Sequence, residues 1–380
     1  MEPDAPPIPI NIITGFLGSG KTTLLSRLLA SPELGDTAVL INEFGEVGLD
    51  HYLLEKVDER TVMLQSGCIC CTIREDLGTA TRELYTRRER GEIPPFERLV
   101  IETSGLADPV PILYTLMTEP VVSSRFQVGN VVTTVDAVNG ALHLARQPES
   151  TKQAAVADRI VLTKTDIADP DAVRELDERL KRLNPAARLL HGPSGDLSPN
   201  NLLAGRTYDP RSKPSEVRDW LNEEAYRANA GHHHDVNRHD VNRHDARIQA
   251  FCLTFDAPID WGAFAIWLTM LLHSRGEDVL RVKGLLRIEG SEGPVVIHGV
   301  QHIIHPPIHL DAWPDGDRRS KIVFILRDIE RDEIEASLAA FNRLGKGEET
   351  TAVLSSARPS VGTQVGGRPI RRPSAPAWLK

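Results

Sequence analysis

The fold class predicted for this chain is α/β: a mainly parallel sheet flanked by helices, followed by a smaller α+β domain. Two observations predict it. From residue 8 to about residue 205, short β-branched runs alternate with longer amphipathic runs, which is typical of a parallel sheet covered by helices. From residue 247 onward, the runs indicate a strand, a helix, a hairpin, a strand and a helix. The length of 380 residues suits two domains of roughly 100–200 residues each.

Six short runs rich in β-branched residues are the predicted strands of the first domain. They are Ile8–Ile13, Thr37–Ile41, Leu99–Glu102, Val131–Val135, Ile160–Thr163 and Arg188–His191. The clearest helix signal begins at Asp169, which can cap a helix that has Pro170 in its first turn. The apolar stripe of this helix, which ends before Pro185, consists of Val173, Leu176, Leu180 and Leu183.

The chain is predicted to divide into four segments. They are the first domain (1–205), a His-rich linker or exposed loop (206–246), the α+β domain (247–345) and a basic tail (346–380). A tail rich in Gly, Pro, Ser and Arg is expected to be disordered. The predicted elements of the α+β domain are the strand Ile248–Phe255, the helix Trp261–His273, the hairpin Val279–Ile288 with Val295–Val300, the strand Lys321–Leu326 and the helix Arg331–Arg343.

Composition limits the classes of partner. The 44 Lys and Arg residues and 53 Asp and Glu residues give a net charge of −9, which disfavours a protein-wide nucleic-acid-binding surface. The longest apolar stretch, residues 262–272, is shorter than the roughly 20 residues that span a bilayer, so no membrane partner is expected. The acidic, proline-rich N-terminus does not resemble a secretion signal, and a cytoplasmic location is predicted.

A phosphate-binding loop is predicted where the first strand meets the first helix. The segment Gly15–Thr22 fits the pattern GxxxxGK[ST], with an isoleucine-rich strand before it and a helix from Thr23 after it. Backbone N–H groups of such a loop face a polyphosphate, a lysine reaches the terminal phosphates and a hydroxyl ligates magnesium. The alternative is an ordinary Gly-rich turn. The predicted nucleotide-binding residues here are Gly15, Gly18, Ser19, Gly20, Lys21, Thr22 and Thr23.

A carboxylate is predicted at the end of a neighbouring strand. Glu102 ends the run Leu-Val-Ile-Glu and is followed by Thr-Ser-Gly105. Glu102 is expected to hold magnesium through water, and Gly105 to sense the γ-phosphate. Many buried strands end in an acidic residue, so this carboxylate indicates a magnesium site only in combination with the phosphate loop. The predicted catalytic residues are Lys21, Thr22 and Glu102.

The base-recognition segment is predicted at Thr163-Lys164-Thr165-Asp166, after a buried strand. A buried Asp166 accepts the ring N–H and the exocyclic amine of guanine, while the stem of Lys164 covers the ring. This pairing is expected to favour GTP over ATP by roughly one to two orders of magnitude. GTPases usually begin this motif with Asn, so Thr163 leaves the contact of that Asn open. The alternative is a strand followed by a polar turn.

Three of the four cysteines, Cys68, Cys70 and Cys71, form a CxCC motif. Thiolates are good zinc ligands, but a closed structural site has four ligands, usually in two separated pairs. The motif therefore predicts an open zinc site, completed by Glu46, a histidine, water or a receiving protein. The alternatives are a local disulfide and buried small hydrophobic side chains. The fourth cysteine, Cys252, lies in an apolar strand-like run and is predicted to be core.

The histidines form two groups. Five lie in the polar linker, where they are either an auxiliary zinc store or part of a solvated spacer: His232, His233, His234, His239 and His244. The second group is predicted to serve packing or capping, because its spacing defines no metal site: His298, His302, His305 and His309.

The sequence resembles the CobW family of P-loop GTPases, which is allied to the nickel-enzyme maturation GTPases. The likeness covers about residues 8–340, and it implies a P-loop GTPase domain followed by the C-terminal module of that family. The segments that carry it are GFLGSGKTT (15–23), INEFGEVGLD (41–50), GCICC (67–71), ETSGLADP (102–109), TKTD (163–166), SRGEDVLRVKGLLRI (274–288) and GVQHIIHPP (299–307).

The resemblance implies GTP-dependent insertion or delivery of a metal: zinc in one branch of the family, cobalt for cobalamin synthesis in another. It implies that Glu43–Asp50 is a nucleotide-sensitive switch and that the CxCC cysteines bind the transported ion. The expected cofactors are GTP, Mg²⁺ and Zn²⁺, with Co²⁺ as an alternative. The expected partner is a metal-receiving client protein, and the oligomeric state stays open.

Two further questions stay open at this point. Asp50 or Glu46 could contact magnesium, and the sequence does not separate those roles. No residue obviously suited as general base is evident, so slow hydrolysis by positioning and electrostatics is expected. A different class of protein also fits: a zinc-buffering or regulatory binding protein in which GTP is only a conformational effector.

Overall fold

The structure is a computed structural model, and it describes residues 7–41, 62–65, 73–192, 197–203, 248–314 and 316–345. In these ranges the chain forms two sheets. A seven-stranded parallel sheet has the strand order β3-β2-β4-β1-β5-β6-β7. Its strands are β1 Ile8–Gly15, β2 Thr37–Ile41, β3 Val62–Gln65, β4 Arg98–Glu102, β5 Phe126–Asp136, β6 Arg159–Thr163 and β7 Arg188–His191.

Helices flank this sheet on both faces. Those described are α1 Lys21–Leu29, α2 Ile73–Glu89, α3 Pro109–Thr118, α4 Pro120–Arg125, α5 Gly140–Arg146, α6 Pro148–Val156, α7 Pro170–Leu183 and α8 Pro199–Leu202. Alternating residues of β1 supply both cores, because successive side chains of a strand point to opposite faces. Ile10 and Ile12 pack against α2 and α3, whereas Ile13 packs against α1. The two-sided burial explains why the strands are continuous apolar runs.

Helix α7 begins and packs as the sequence predicts. Asp169 caps it by accepting hydrogen bonds from the backbone N–H groups of Asp171 and Ala172, at 2.9 and 3.1 Å, and Pro170 occupies its first turn. Three positions of the predicted apolar stripe are buried, namely Leu176, Leu180 and Leu183.

The second sheet is antiparallel and smaller, with the order β11-β10-β9-β13-β8 and β12 paired to β10. Its elements are β8 Ile248–Phe255, α9 Trp261–Arg275, β9 Val279–Leu286, β10 Val295–Val300, β11 Ile303–Ile304, β12 Ile308–His309, β13 Ser320–Arg327 and α10 Arg331–Gly345. Helices α9 and α10 cover one face around Trp267 and Phe324, and the Trp267 indole N–H donates to Ser337 Oγ at 3.0 Å. The predicted α/β plus α+β fold class is confirmed.

Two local expectations need correction. Cys252 is only half-buried, because it points away from the face on which its neighbours Phe251 and Leu253 enter the core, so the prediction of a core cysteine is wrong. Strand β5 is longer than the predicted Val131–Val135. It begins at Phe126, and its pairing with β1 shifts register beside Gly129, where an added Cβ would lie 2.7 Å from Asn11 Oδ1.

The two sheets contact each other through α6 and the edges around it. Ala155 of α6 packs with Leu280 of β9 and Ile325 of β13. Val300 and Ile303 of the second domain join the core between the first sheet and helices α2 and α3. None of the helices in the described ranges is long and apolar enough to cross a bilayer. The predicted boundaries at residues 205, 246 and 345 stay predictions, and residues 204–247 and 346–380 lie outside the description.

Candidate nucleotide site

The phosphate loop joins the carboxyl end of β1 to the first residue of α1. Gly18 and Gly20 adopt left-handed backbone conformations, with φ of 70° and 91°, which glycine tolerates without steric cost. At Gly15 the loop passes so close to β5 that an added Cβ would lie 2.3 Å from Thr134 Oγ1. At Gly18 an added Cβ would meet no described atom within 4 Å, so this part of the loop backbone is open to a ligand.

Side chains of the loop hold its shape from below. Ser19 Oγ and Thr134 Oγ1 are 2.6 Å apart, and the Ser19 N–H donates to the Phe16 carbonyl at 3.1 Å. Lys21 is buried, and its Nζ lies 3.5 Å from the same carbonyl. The neighbouring Thr23, predicted to bind nucleotide, is exposed on α1.

Two of the predicted magnesium residues, Thr22 and Glu102, lie together. The Thr22 hydroxyl donates to Glu102 Oε1 at 2.7 Å, and Glu102 is buried at the end of β4, where it pairs in register with Ile13. A hydroxyl and a carboxylate are oxygen donors of the kind that Mg²⁺ prefers, usually with several waters and substrate phosphates completing its shell. This donor pair therefore fits the ion.

The segment after β4 contacts the phosphate loop directly. An added Cβ at Gly105 would lie 2.7 Å from the Leu17 backbone nitrogen, so only glycine fits without movement. The amide Nε2 of Gln153 donates to the carbonyls of Gly105 and Ala107, at 3.3 and 2.9 Å. Gln153 is fully buried on α6, and sequence reasoning missed it because only tertiary structure brings it here.

The base-recognition segment is linked to the phosphate loop. The Thr163 hydroxyl donates to the Ser19 carbonyl at 2.7 Å and also lies 3.3 Å from the Val135 carbonyl. Thr163 therefore links the two motifs. This answers which contact Thr163 makes in place of the usual Asn. Lys164 has a left-handed backbone with φ of 58°, and its ammonium donates to Asp136 Oδ2 at 2.8 Å.

Asp136 contacts the candidate site, and the sequence analysis missed it. It is buried at the end of β5 and accepts from the Val138 N–H at 2.8 Å and from Asn139 Nδ2 at 3.2 Å. Burial alone would raise its pKa, but hydrogen bonds from Lys164, Asn139 and Val138 outweigh burial and lower it. The available signal was its position: like Glu102, Asp136 ends a buried strand at the same edge of the sheet.

Asp166 differs from the expectation in one respect. Its carboxylate is exposed rather than buried. The expected preference for GTP over ATP required a buried Asp166 carboxylate. It therefore depends on the purine covering this carboxylate when nucleotide binds. The rings of Phe16 and His143 lie with centroids 4.6 Å apart close to this segment, and burial, ahead of the neighbouring charges, lowers the pKa of His143.

The predicted zinc residues fall outside the described ranges, as do the tentative switch residues. They are Cys68, Cys70, Cys71, Glu46 and Asp50, together with His232, His233, His234, His239 and His244. Among the residues that are described, no group of three or more His, Cys, Asp or Glu side chains is arranged to hold a metal ion. In the second domain, His302 caps α9, since its Nδ1 lies 2.8 Å from the Leu272 carbonyl.

Two known families match the chain, one for each sheet. "CobW/HypB/UreG, nucleotide-binding domain" matches residues 9–191, and "Cobalamin synthesis protein cobW C-terminal domain" matches residues 248–342. Both matches fall where the structure has its parallel and antiparallel sheets.

Similar proteins extend over most of the chain. "Zinc chaperone YjiA" of Escherichia coli K12 is 31% identical over 337 residues, covering 89% of this chain and 99% of that protein. "Zinc-regulated GTPase metalloprotein activator 1" of Saccharomyces cerevisiae is 28% identical over 378 residues, covering 87% of this chain and 82% of that protein. The crystal structure of Zn(II)-bound YjiA GTPase from E. coli has a TM-score of 0.64 at 28% identity, covering 89% of this chain and 99% of that one.

Proposed function

The chain belongs to the CobW family of P-loop GTPases, and from this premise we propose a metallochaperone: GTP hydrolysis controls the binding of zinc at Cys68, Cys70 and Cys71 and its delivery to a client protein. The observation that carries the GTPase half is the hydrogen bond between Thr22 and Glu102, which joins the phosphate loop to the strand-end carboxylate. The zinc half is supported by relatives named zinc chaperones and by the thiol chemistry of the motif.

The roles of the site residues follow from their positions. We assign Lys21, at the start of α1, to the terminal phosphates, and the backbone N–H groups around Gly18 to the rest of the polyphosphate. Thr22 and Glu102 would hold Mg²⁺, which when bound neutralises the charge on the phosphates. We assign the response to the γ-phosphate to Gly105, and its close approach to Leu17 in the phosphate loop supports this role. Hydrolysis then proceeds by positioning and electrostatics.

Guanine recognition is assigned to Asp166 and Lys164. The Asp166 carboxylate is exposed and able to accept two donors from guanine, and adenine offers no such pair. The left-handed backbone at Lys164 and its ion pair with Asp136 fix the turn that presents Asp166. Thr163 holds this turn to the phosphate loop through Ser19.

Coupling between nucleotide and zinc is supported by the order of the sheet. In a parallel sheet the carboxyl ends of all strands meet at one edge. Gln65, three residues before Cys68, ends β3 at that edge, and Ile41 ends β2 there before the Glu43–Asp50 segment. Both strands thus end on the side of the phosphate loop. We propose that GTP orders them into a zinc-binding arrangement and that loss of the γ-phosphate releases the ion.

Cobalt is the second candidate ion, because the family that matches residues 248–342 is described by cobalamin synthesis. Affinity alone does not identify the physiological ion, since intrinsic affinities follow the Irving–Williams order. A purely regulatory zinc-buffering protein is the third candidate, and it differs by having no GTP turnover.

The test is a metal competition titration under reducing conditions, with a non-hydrolysable GTP analogue or with GDP. We expect zinc to bind at least roughly tenfold tighter in the GTP-analogue state, a coupling of the usual allosteric size. Cys70→Ala is expected to abolish this difference. Cys252→Ala is the matched control, because Cys252 is half-buried in β8 and far along the chain from the motif.

Three outcomes would contradict the proposal in distinct ways. Equal zinc affinity in both nucleotide states removes the coupling. Nucleotide-dependent affinity for cobalt but not for zinc would favour the cobalt-handling branch of the family. No steady-state phosphate release with GTP and Mg²⁺, with or without zinc, leaves the zinc-buffering protein as the remaining reading.

A further inference from the structure

A cavity of about 660 Å³ lies between the two domains, away from the nucleotide site. Its first-domain wall comes from α3, α4 and β5, and its second-domain wall comes from β9, β10 and the segment around His305. Pockets that bind small molecules usually have volumes of about 300–1,000 Å³, so this cavity has the size of a ligand site.

The cavity lies at the opposite edge of the parallel sheet from the phosphate loop. Phe126, at the start of β5, lines it, and Phe126 pairs with Ile8 at the start of β1. The phosphate loop follows Gly15 at the other end of β1. Seven residue steps of about 3.3 Å separate the two ends, roughly 23 Å, so the cavity is a separate site.

One end of the cavity is a buried cluster of charges. Asp158 accepts hydrogen bonds from Arg281 Nη2, from Lys283 Nζ at 3.0 Å and from the Val131 N–H at 3.0 Å. Arg281 also donates through Nη1 to the Val156 carbonyl. Two cations therefore share one carboxylate that is already bonded through both of its oxygens.

The guanidinium of Arg281 carries five N–H donors, and the described hydrogen bonds to Val156 and Asp158 use two of them. The side chain of Arg281 is 7% exposed and lines the cavity, and its Nε–H has no hydrogen-bond acceptor among the described residues. Buried N–H groups of a cation without an acceptor are unfavourable, and a ligand oxygen in the cavity would accept from the guanidinium.

The charges along the wall favour an anion. Of the described residues that line the cavity, Asp158 is the one acidic residue, whereas Arg125 and Arg281 are basic. His298 and His305 add ring nitrogens at the same end, with their ring centroids 6.1 Å apart. Burial, followed by the charge of Arg281, lowers the pKa of His305 to about 4, so this ring is neutral at pH 7 and retains a hydrogen-bond acceptor and a donor.

Most of the remaining wall is apolar, although Ser123, Ser124 and Gln127 add polar groups. The apolar part is formed by aliphatic side chains, one phenylalanine and one methionine, including Leu113, Leu116, Met117, Val128, Val300 and Ile308. A fully polar anion such as phosphate would leave these groups without a partner. The combination of a cationic end with an aliphatic body is the chemistry that recognises an amphipathic anion.

We propose that this interdomain cavity binds a small aliphatic monocarboxylate, with its carboxylate at the guanidinium of Arg281 and its chain along the wall formed by Leu113, Leu116 and Met117. Because the two walls belong to different domains, a bound carboxylate stabilises their contact. This site does not depend on the zinc or nucleotide chemistry proposed above.

The test is calorimetric titration of the full chain at pH 7, in a carboxylate-free buffer, with octanoate, 1-octanol and acetate. We expect saturable binding of one octanoate per chain, roughly tenfold tighter than 1-octanol, because the alcohol lacks the charged acceptor. Acetate is expected to bind weakly, since it has no aliphatic chain to bury.

Two variants locate the binding. Met117→Trp fills the apolar end without touching the charged cluster, and Arg281→Lys keeps the positive charge while removing the guanidinium, including its bonds to Val156 and Asp158. Each is expected to weaken octanoate by roughly tenfold or more. Val121→Trp, on the exposed face of α4, is the matched control and is expected to leave the affinity unchanged.

Several results would overturn the proposal. Absence of saturable octanoate binding would show that the cavity is not a site for this class of ligand. Equal affinities for octanoate and 1-octanol would show that the carboxylate charge is not recognised. Octanoate affinity that is unchanged in Met117→Trp shows that the probe binds elsewhere. If Arg281→Lys does not fold, Met117→Trp and the comparison of the two probes decide.

Discussion

The two edges of the parallel sheet are built in different ways. At the carboxyl edge, the phosphate loop, the Glu102 segment and the Thr163–Asp166 segment are contiguous motifs that meet through short hydrogen bonds, such as Thr22 to Glu102 at 2.7 Å. At the amino edge, Asp158 meets Arg281 and Lys283, which are 123 and 125 residues distant along the chain. The first edge is organised around a ligand, and the second joins two domains.

The difference also concerns what each edge contributes to the free energy of unfolding. The phosphate loop leaves backbone groups open and uses left-handed glycines, which serves nucleotide binding rather than stability. The Asp158 carboxylate is buried and accepts hydrogen bonds through both of its oxygens, so its loss leaves two cations without compensation. Changes at the carboxyl edge should therefore affect activity, and changes at the amino edge should affect stability.

Asp158→Ala is expected to have the largest effect. Removal of one partner from a buried ion pair costs about 3–5 kcal/mol of unfolding free energy. Burial alone would raise the pKa of Asp158, but Arg281 and Lys283 outweigh burial and hold it well below its usual range. Its contribution is therefore complete above the unfolded pKa of about 3.9 and is lost only as the pH falls further. Denaturant unfolding at pH 7 and in acid measures both quantities.

The control for that experiment is Asp171→Ala, which removes an exposed ion pair with Arg174. Its expected cost is about 1 kcal/mol or less. Similar losses in the two variants would mean that the interdomain cluster does not stabilise the fold.

Lys21→Ala tests the carboxyl edge and should leave stability nearly unchanged. Loss of a cation aimed at the reacting phosphates is expected to lower kcat/KM for GTP by about 100-fold or more. Steady-state phosphate release measures the effect. Lys181→Ala, on the exposed face of α7, should behave as the unaltered protein does. Wild-type turnover in Lys21→Ala would contradict the phosphate-loop assignment.

Asp166→Asn should give the smallest of the three effects. The amide presents an NH₂ group to the donors of guanine, so the preference for GTP over ATP is expected to fall by roughly tenfold. Competition between the two nucleotides measures this preference. Asp169→Asn is the control, because Asn caps a helix about as well as Asp. An unchanged preference in Asp166→Asn would place base recognition in another residue.

Local patterns were sufficient for most of the fold. All six predicted strands of the first domain are present, and five of them are apolar runs buried on both faces. The sixth, Arg188–His191, lies at the sheet edge with only Leu190 buried. The short strands β11 and β12, of two residues each, carry too little pattern to be predicted. Helix α6 was also not predicted, since it has no clear amphipathic stripe and its polar Gln153 is buried.

The parts of the candidate nucleotide site that consist of contiguous sequence motifs could be predicted. Lys21, Thr22 and Glu102 occupy the positions that their motifs indicate. Asp136 was missed because a single acidic residue at a strand end has little meaning until Lys164 is seen to bind it. The ion pairs of Asp158 could not be predicted from the sequence either, because Arg281 and Lys283 belong to the other domain.

Helix α6 joins the two edges of the sheet. Gln153 holds the carbonyls of Gly105 and Ala107, and one turn later the Val156 carbonyl accepts from Arg281. Any rearrangement of the segment that includes Gly105 must therefore break both amide hydrogen bonds of Gln153 or carry the helix with it. One helical turn, about 5 Å, separates these two sets of contacts. We therefore expect displacement of the Gly105 segment and hinge motion between the domains to occur together.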